Sequence, residues 1–312
     1  MRYEVAIIGA GPAGLCAAIY AARKKLRTYI CGGGWVGGQA TWSADVENYP
    51  GFHLLSGGEL IQKFQAHLLD YDLKIDRDAR VVKCEKTFED YFVLTLADGT
   101  TIEAWSVIIA SGKQPRMLDV PGEKEFVGRG ITYCATCDGP LFKGKRVAVV
   151  GGGNSALDAT LTLRRFCPEV VLITVNSEMS GEQVMIDAIK KDKGVIIFTN
   201  ATVVACGGTS HIENIQFRVQ GKHEVIKEPV SGIFVEVGYV AHTEWMGDLV
   251  ERDTRGEIII ALDNATKTPG LFAAGDVTMV PAKQIVVAAG EGAKALLSAH
   301  GYLARKGLLG IQ

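Results

Sequence analysis

Two short runs, Val5-Ala6-Ile7-Ile8 and Val147-Ala148-Val149-Val150, contain no polar position. An unbroken apolar run of this length is the pattern of a strand buried on both faces. Each run stops at glycine. Gly9-Ala10-Gly11-Pro12-Ala13-Gly14 follows the first, then an alanine-rich helix reaching Arg23. Gly151-Gly152-Gly153-Asn154-Ser155-Ala156 follows the second, then a helix reaching Phe166. A further strand closes each unit, Thr28 to Cys31 and Val170 to Thr174.

Both halves continue alike. Strand-like segments span Ala79 to Thr87, Tyr91 to Leu96 and Thr101 to Ala110 in the first. Their counterparts are Thr202 to Cys206, Ile212 to Val219 and Glu224 to Val230. Asp98-Gly99 and Gly207-Gly208 are turn signals between such segments. Each half then reaches an apolar strand that stops at glycine, Gly112 or Gly238. The tail returns to the first theme, with a short strand ending at Gly275-Asp276 and one long helix over Lys283 to Ala304. The repeat predicts an α/β fold of two Rossmann-like dinucleotide-binding domains, each a three-layer ββα unit, the second inserted into the first. The expected bounds are 1–117 with 245–312 for the outer domain and 118–244 for the central one.

Composition narrows the classes. The chain has 312 residues, 47% hydrophobic and 22% charged, with a formal net charge of −2, so nothing points to nucleic acid or a membrane surface. Val5 to Ala22 carries no charge, but Gly9, Gly11, Pro12 and Gly14 interrupt it, so strand, turn and helix explain it better than a membrane span. Met1-Arg2-Tyr3-Glu4 is a poor signal-peptide start, and a cytoplasmic location is expected. Seven cysteines, an odd and scattered set, argue against a secreted disulfide framework. Cys16, Cys31, Cys84, Cys167 and Cys206 stand alone and are expected to be small buried hydrophobes.

The glycine turns explain themselves chemically. The first glycine allows the bend, the second lets backbone approach a pyrophosphate, and the third lets helix and strand pack closely. The phosphates then meet free N–H groups at the positive end of a helix. Gly9, Gly11 and Gly14 meet this description, and Ala156 supplies the third small position of the second copy. A dinucleotide site also tends to carry an acid, or arginines for a 2′-phosphate, after the next strand. The second copy offers Thr174-Val175-Asn176-Ser177 there, and the first offers Cys31.

The strongest chemical signal is Tyr133-Cys134-Ala135-Thr136-Cys137-Asp138-Gly139-Pro140. Two residues between cysteines suit a reversible disulfide. Zinc uses the same spacing, but a structural site needs four ligands, and the sequence has neither a second such pair nor a histidine cluster. No metal is expected. Asp138 is placed either to move a proton as the dithiol opens or to cap a helix.

Together these motifs resemble the low-molecular-weight thioredoxin reductases. The resemblance rests on Gly9-x-Gly-Pro-Ala-Gly14, Gly37-Gly38-Gln39, Glu47-Asn48-Tyr49-Pro50-Gly51, Cys134-Ala-Thr-Cys-Asp-Gly139, Gly151-Gly-Gly-Asn-Ser155 and Gly275-Asp276, in that order. Tyr133 to Lys145 and Pro281 to Ser298 are also similar to the flavoprotein component of alkyl hydroperoxide reductase, whose additional N-terminal region is not expected here. The resemblance implies an FAD-binding outer domain and an NAD(P)-binding-like central domain carrying the dithiol. It implies FAD contacts at Gly9, Gly11, Pro12, Ala13, Gly14, Gly38, Gln39, Asn48, Gly112, Gly275, Asp276, Lys283, Gln284 and Ile285. It assigns Cys137 to the flavin side, Cys134 to attack on thioredoxin or a similar protein, and Asp138 to the acid role. It also implies a homodimer and a rotation between domains.

One departure bears on the electron donor. NADPH-using members carry a His-Arg-Arg run and a further arginine where this chain has Thr174, Val175, Asn176 and Ser180. NADH-using relatives carry a glutamate at the place of Thr174. Some relatives without these residues take electrons from ferredoxin, and this chain is similar to them. The leading expectation is thioredoxin reduction with ferredoxin favoured as donor, NADH possible and NADPH poor. The alternatives are an NADH-dependent flavoprotein that reduces a peroxiredoxin, an oxidase or ferredoxin–nucleotide reductase, and a flavin-bound redox sensor. Relatives of the oxidase or nucleotide-reductase kind generally lack the dithiol, and a sensor would not turn over.

Overall fold

The computed structural model describes residues 2–43, 46, 48–71 and 73–310, apart from the side chains of Trp42 and Cys137. The chain forms two compact units, one of Met1–Gln114 with Val240–Gln312 and one of Pro115–Tyr239. Each is built on a parallel sheet.

In the first unit, β1 (Tyr3–Ile8) runs through the glycine turn into α1 (Pro12–Arg23), and β2 (Thr28–Cys31) returns parallel to β1. Pro12 opens α1, where a missing N–H breaks no helical bond. Val5 and Ile7 enter one core cluster, Ala6 and Ile8 the cluster on the other face. Alternate residues of a strand face opposite ways, so a sheet covered on both sides leaves this run no polar position. α2 (Gly57–Leu69) starts with a capping box: the Ser56 hydroxyl accepts from the Glu59 N–H and the Glu59 carboxylate from the Ser56 N–H. β3 (Val81–Lys86), β4 (Phe92–Leu96) and β5 (Thr101–Ile109) form an antiparallel meander. β5 serves twice, since its first half pairs with β4 and its second half runs parallel to β1.

β6 (Gln114–Pro115) leads into the second unit. There α3 (Glu123–Phe126), β7 (Ile131–Thr132), α4 (Ala135–Asp138), β8 (Arg146–Val150), α5 (Asn154–Arg164), β9 (Glu169–Ile173), α6 (Gln183–Lys191) and β10 (Val195–Phe198) follow in turn. β11 (Ala201–Gly208), β12 (Ile212–Val219) and β13 (Ile226–Pro229) make a separate antiparallel sheet, and β14 (Gly232–Val235) rejoins the parallel one in the order β10-β9-β8-β14-β7. The repeat is therefore imperfect. β5 joins meander and parallel sheet in one strand, whereas the chain breaks between β13 and β14. Pro229, which has no N–H to continue the ladder, ends β13.

β15 (Tyr239–Val240) returns the chain to the first unit, where β16 (Leu271–Ala273) pairs parallel with β5 and α7 (Ile285–Arg305) packs on α1. That packing is close. A Cβ on Gly292 would stand 1.9 Å from the Ala13 carbonyl oxygen. The uncharged stretch from Val5 to Ala22 is divided between β1 and α1, and no described helix is long and apolar enough to cross a membrane.

Candidate functional site

The first glycine turn is built by close approach. Gly9 has φ +110°, and a Cβ there would lie 2.3 Å from the Ala110 carbonyl oxygen. A Cβ on Gly14 would meet the Gly9 carbonyl oxygen at 1.8 Å. Gly11 is different: the nearest atom to a Cβ there is the Gly37 carbonyl oxygen at 3.9 Å, so its backbone faces open space. Other segments gather around this turn. The Gly37 N–H donates to the Ala10 carbonyl at 2.7 Å, which lays Gly38 and Gln39 beside it. The Gln39 amide donates to the Lys113 carbonyl at 2.6 Å, next to Gly112. A Cβ on Gly275 would stand 3.0 Å from that of Ala13, so Gly275 and Asp276 close the other side. Asn48 donates to the Gln284 side chain at 3.1 Å, just before Ile285 opens α7. Glu47, also of the Asn48 motif, lies outside the described residues.

Buried charge ties the same region together. Glu257 is fully buried and paired with Lys113 at 2.5 Å, Lys283 at 3.1 Å and Arg255 at 3.2 Å. The Lys283 ammonium also donates to the carbonyls of Asp276, at 3.3 Å, and of Thr278. Glu291, buried in α7, accepts from the Gly275 N–H at 2.8 Å and fixes the turn that carries Asp276. The Asp276 carboxyl takes part in no hydrogen bond among the described residues. Burial pushes it above the usual carboxylate range, against the pull of Lys283 and Lys113. A half-buried acceptor of this kind suits a ligand hydroxyl. Cys31, at the place where a ribose-binding acid would stand, is buried with its thiol on the Ala79 carbonyl at 2.8 Å.

In the second unit Cys134 is half-buried and disulfide-bonded, and the other thiols described are free. Of these, Cys31, Cys84, Cys167 and Cys206 are buried and Cys16 partly so; burial pushes all five thiols up, as poor thiolates. Cys137 lies in α4, its side chain outside the description. Asp138 ends α4 and makes no side-chain cap to the turn that follows. Its carboxylate instead accepts from the Thr132 hydroxyl, which in turn accepts from the Cys134 N–H at 3.3 Å. Thr132 thus links the acid to the dithiol turn, and no spacing rule marks it in the sequence. Glu236, just after β14, donates its N–H to the Val150 carbonyl at 2.7 Å.

Burial, helped by Asp158, pushes Glu236 up to about 7, against the lowering effect of the Ala135 backbone. The native state therefore holds this proton more tightly than the unfolded chain. The stability it contributes is present below pH 4.5 and is lost as pH rises through about 7. At 1.36 kcal/mol per unit the loss is on the order of 3 kcal/mol. Glu236→Gln should therefore flatten the fall in melting temperature between pH 5 and pH 8. An unchanged pH dependence would mean that Glu236 titrates as an ordinary glutamate.

The second glycine turn opens into a cleft of about 490 Å³, lined by Gly151 to Ser155, Thr174 to Asn176, Thr202 and Glu236 among others. Among the described residues no lysine, arginine or histidine lines it, and Glu236 is the one acid. Arg164, a possible source of positive charge, is committed elsewhere. Its guanidinium pairs with Asp192 at 2.8 and 3.0 Å and donates to the carbonyls of Cys167 and Pro168. Arg165 is exposed at the end of α5 and is not among the lining residues.

These two sites can be set beside known proteins. The family model for pyridine nucleotide-disulphide oxidoreductases matches residues 3–292. The chain belongs to the pyridine nucleotide-disulphide oxidoreductase family. It is 41% identical over 97% of its length to a component of the Escherichia coli alkyl hydroperoxide reductase, and spans 58% of that protein. Among solved structures it is similar to the Lactococcus lactis thioredoxin reductase, with 32% identity, a TM-score of 0.83, and coverage of 97% of this chain and 100% of the other. It is also similar to a ferredoxin-flavin thioredoxin reductase from Clostridium acetobutylicum, with 29% identity, a TM-score of 0.56 and coverage of 99% of both chains.

As a member of this family the chain is a flavin-dependent disulfide oxidoreductase, and its cofactor is FAD. The cradle fits that group. Open backbone at Gly11, the start of α1 and the unbonded Asp276 carboxyl offer donors for phosphates and an acceptor for hydroxyls. Lys113, Glu257 and Glu291 brace this cradle and were joined to it only by the fold. Glu291 alone gives a sequence signal, as the single charge between Ile285 and Ala293.

Proposed function

We propose that this protein is a thioredoxin reductase whose electrons come from a ferredoxin-type protein rather than from NADPH. The observation that carries the reading is the second-unit cleft, which keeps its glycine turn yet has no cationic side chain among the described residues. FAD, when bound, accepts electrons singly or in pairs and delivers a pair to a disulfide. Gly9 to Gly14, Gly38, Gln39, Asn48, Gly112, Asp276 and Lys283 to Ile285 would hold it. Cys137 is the thiol on the flavin side and Cys134 attacks the substrate disulfide. Asp138, hydrogen-bonded to Thr132, gives its proton to the departing thiol. One dithiol serving two partners calls for a rotation between the two units, in a cytoplasmic homodimer.

The 41% identity to an alkyl hydroperoxide reductase component supports a second reading, an NADH-dependent flavoprotein that reduces a peroxiredoxin. One experiment separates them. The holoprotein is reduced anaerobically with NADPH, NADH or reduced ferredoxin, then mixed with oxidised thioredoxin or oxidised peroxiredoxin. The proposal expects new thioredoxin thiols in the ferredoxin sample. Fast flavin reduction by NADH with transfer to the peroxiredoxin would favour the second reading instead.

A further inference from the structure

We propose that Lys283 is a positioning residue for FAD: its ammonium does not donate to the cofactor but, anchored on Glu257, holds the Asp276 turn so that the Asp276 carboxyl meets a cofactor hydroxyl. The resemblance described above implies an FAD contact at Lys283, and the hydrogen bonds of this chain give that side chain a different task. An ammonium has three N–H donors. In Lys283 all three are taken within the protein, by the Glu257 carboxylate at 3.1 Å, the Asp276 carbonyl at 3.3 Å and the Thr278 carbonyl. None is left for a ligand. This role is independent of which donor reduces the flavin.

The turn after β16 is held from every side except that of one side chain. The Glu291 carboxylate accepts from the Gly275 N–H at 2.8 Å, and the Thr278 hydroxyl donates to the Gly275 carbonyl at 2.8 Å. Opposite, the Ile258 N–H donates to the Val277 carbonyl and the Met279 N–H to the Ile258 carbonyl, each at 2.9 Å. Ile258 directly follows Glu257, so the strand that pairs with the turn also carries the anchor of Lys283. Glu257 is itself fixed, being fully buried and paired with Lys113 and Arg255 as well. Lys283 thus spans from a fixed anion to two carbonyls of the turn. The Asp276 carboxyl takes part in no hydrogen bond among the described residues, although it is largely buried.

Two effects then act through that carboxyl. The first is placement, because a hydrogen bond weakens steeply with distance and angle. The second is charge. Burial raises the proton affinity of Asp276 and the Lys283 ammonium opposes it, so the lysine helps keep the group a carboxylate and therefore an acceptor. A hydroxyl donating to a carboxylate makes a charge-assisted bond, which contributes about tenfold or more in affinity. Both effects of Lys283 vanish when Asp276 has no carboxyl.

A double-mutant cycle on FAD affinity tests this. Serial dilution of each holoprotein, read by the anisotropy of FAD fluorescence, gives the dissociation constant. Lys283→Gln and Asp276→Ala should each raise it about tenfold or more. The double variant should bind FAD within about twofold of Asp276→Ala alone, because changes acting through one contact are not additive. A lysine that donated to FAD itself, or that only stabilised the fold, would multiply the two losses to about a hundredfold or more. Glu257→Gln should also weaken FAD, and Glu257→Gln with Lys283→Gln no more than Glu257→Gln alone. Multiplied losses in either cycle, or wild-type FAD affinity in Lys283→Gln or in Asp276→Ala, would overturn the positioning role. Should Glu257→Gln fail to fold, the cycle between Lys283 and Asp276 decides alone. Lys283 lies in a partly exposed loop before α7, and its replacement leaves Glu257 paired with Lys113 and Arg255. A wild-type protein that holds no FAD would overturn the cofactor assignment as well.

Discussion

Replacing Cys134 with serine should lower thioredoxin reduction by at least about a thousandfold, and replacing Cys137 should do the same, because the two thiols act as one unit. A single thiol can attack a disulfide but cannot release the mixed disulfide it forms. The two variants should nonetheless fail differently. With Cys134 as the attacking thiol, reduced Cys137→Ser protein should accumulate a covalent adduct with thioredoxin, seen on a non-reducing gel. Cys134→Ser should give none. Adduct in the opposite variant would reverse the two roles, and retained turnover in either would remove the dithiol from the mechanism. The free cysteines offer no substitute, because burial pushes the thiols of Cys16, Cys31, Cys84, Cys167 and Cys206 away from thiolate.

NADPH should reduce the protein poorly. A 2′-phosphate carries nearly two negative charges and is best met by arginine in a planar, charge-assisted contact. The cleft beside the second glycine turn offers Thr174, Val175 and Asn176 and no cation. Arg164 would have to break its two hydrogen bonds to Asp192 and those to the Cys167 and Pro168 carbonyls to leave its place. NADH lacks the phosphate but also meets no carboxylate in the place of Thr174 for its ribose hydroxyls. The expectation can be tested by gain as well as loss. Val175 is exposed on the cleft edge, and Ser180 lies against Gly152. Val175→Arg with Ser180→Arg should lower the KM for NADPH by about ten- to a hundredfold, the worth of one or two charge-assisted contacts. Efficient wild-type turnover with micromolar NADPH would contradict the reading of this cleft.

Much of the architecture is legible in the sequence because it is local. Val5 to Ile8 and Val147 to Val150 announce doubly covered strands, and the glycine turns after them leave little choice of connection. The break between β13 and β14 is harder to see. Glu224 to Val230 has the same texture as its counterpart in the first half, and Pro229 alone hints that the ladder ends. α2 is marked only by Ser56 and Glu59, a cap rather than a periodic pattern. The dithiol is plain from its spacing, whereas its surroundings are not. Thr132 reaches it only through the fold, its hydroxyl joining the Asp138 carboxylate to the Cys134 N–H. The same holds for Glu257, which collects Lys113 from 144 positions away. Arg164 shows the reverse case. In the sequence it is an unassigned cation near a nucleotide turn, and only its pairing with Asp192 removes it from the cleft.

On the proposed function the Cys134 disulfide is an electron store in line with the flavin. Anaerobic titration of the holoprotein with dithionite, followed by flavin absorbance, counts the electrons taken up. Wild type should require about four per FAD, two for the flavin and two for the disulfide, and Cys134→Ser about two. An uptake of only two electrons by wild type would take the disulfide out of the electron path.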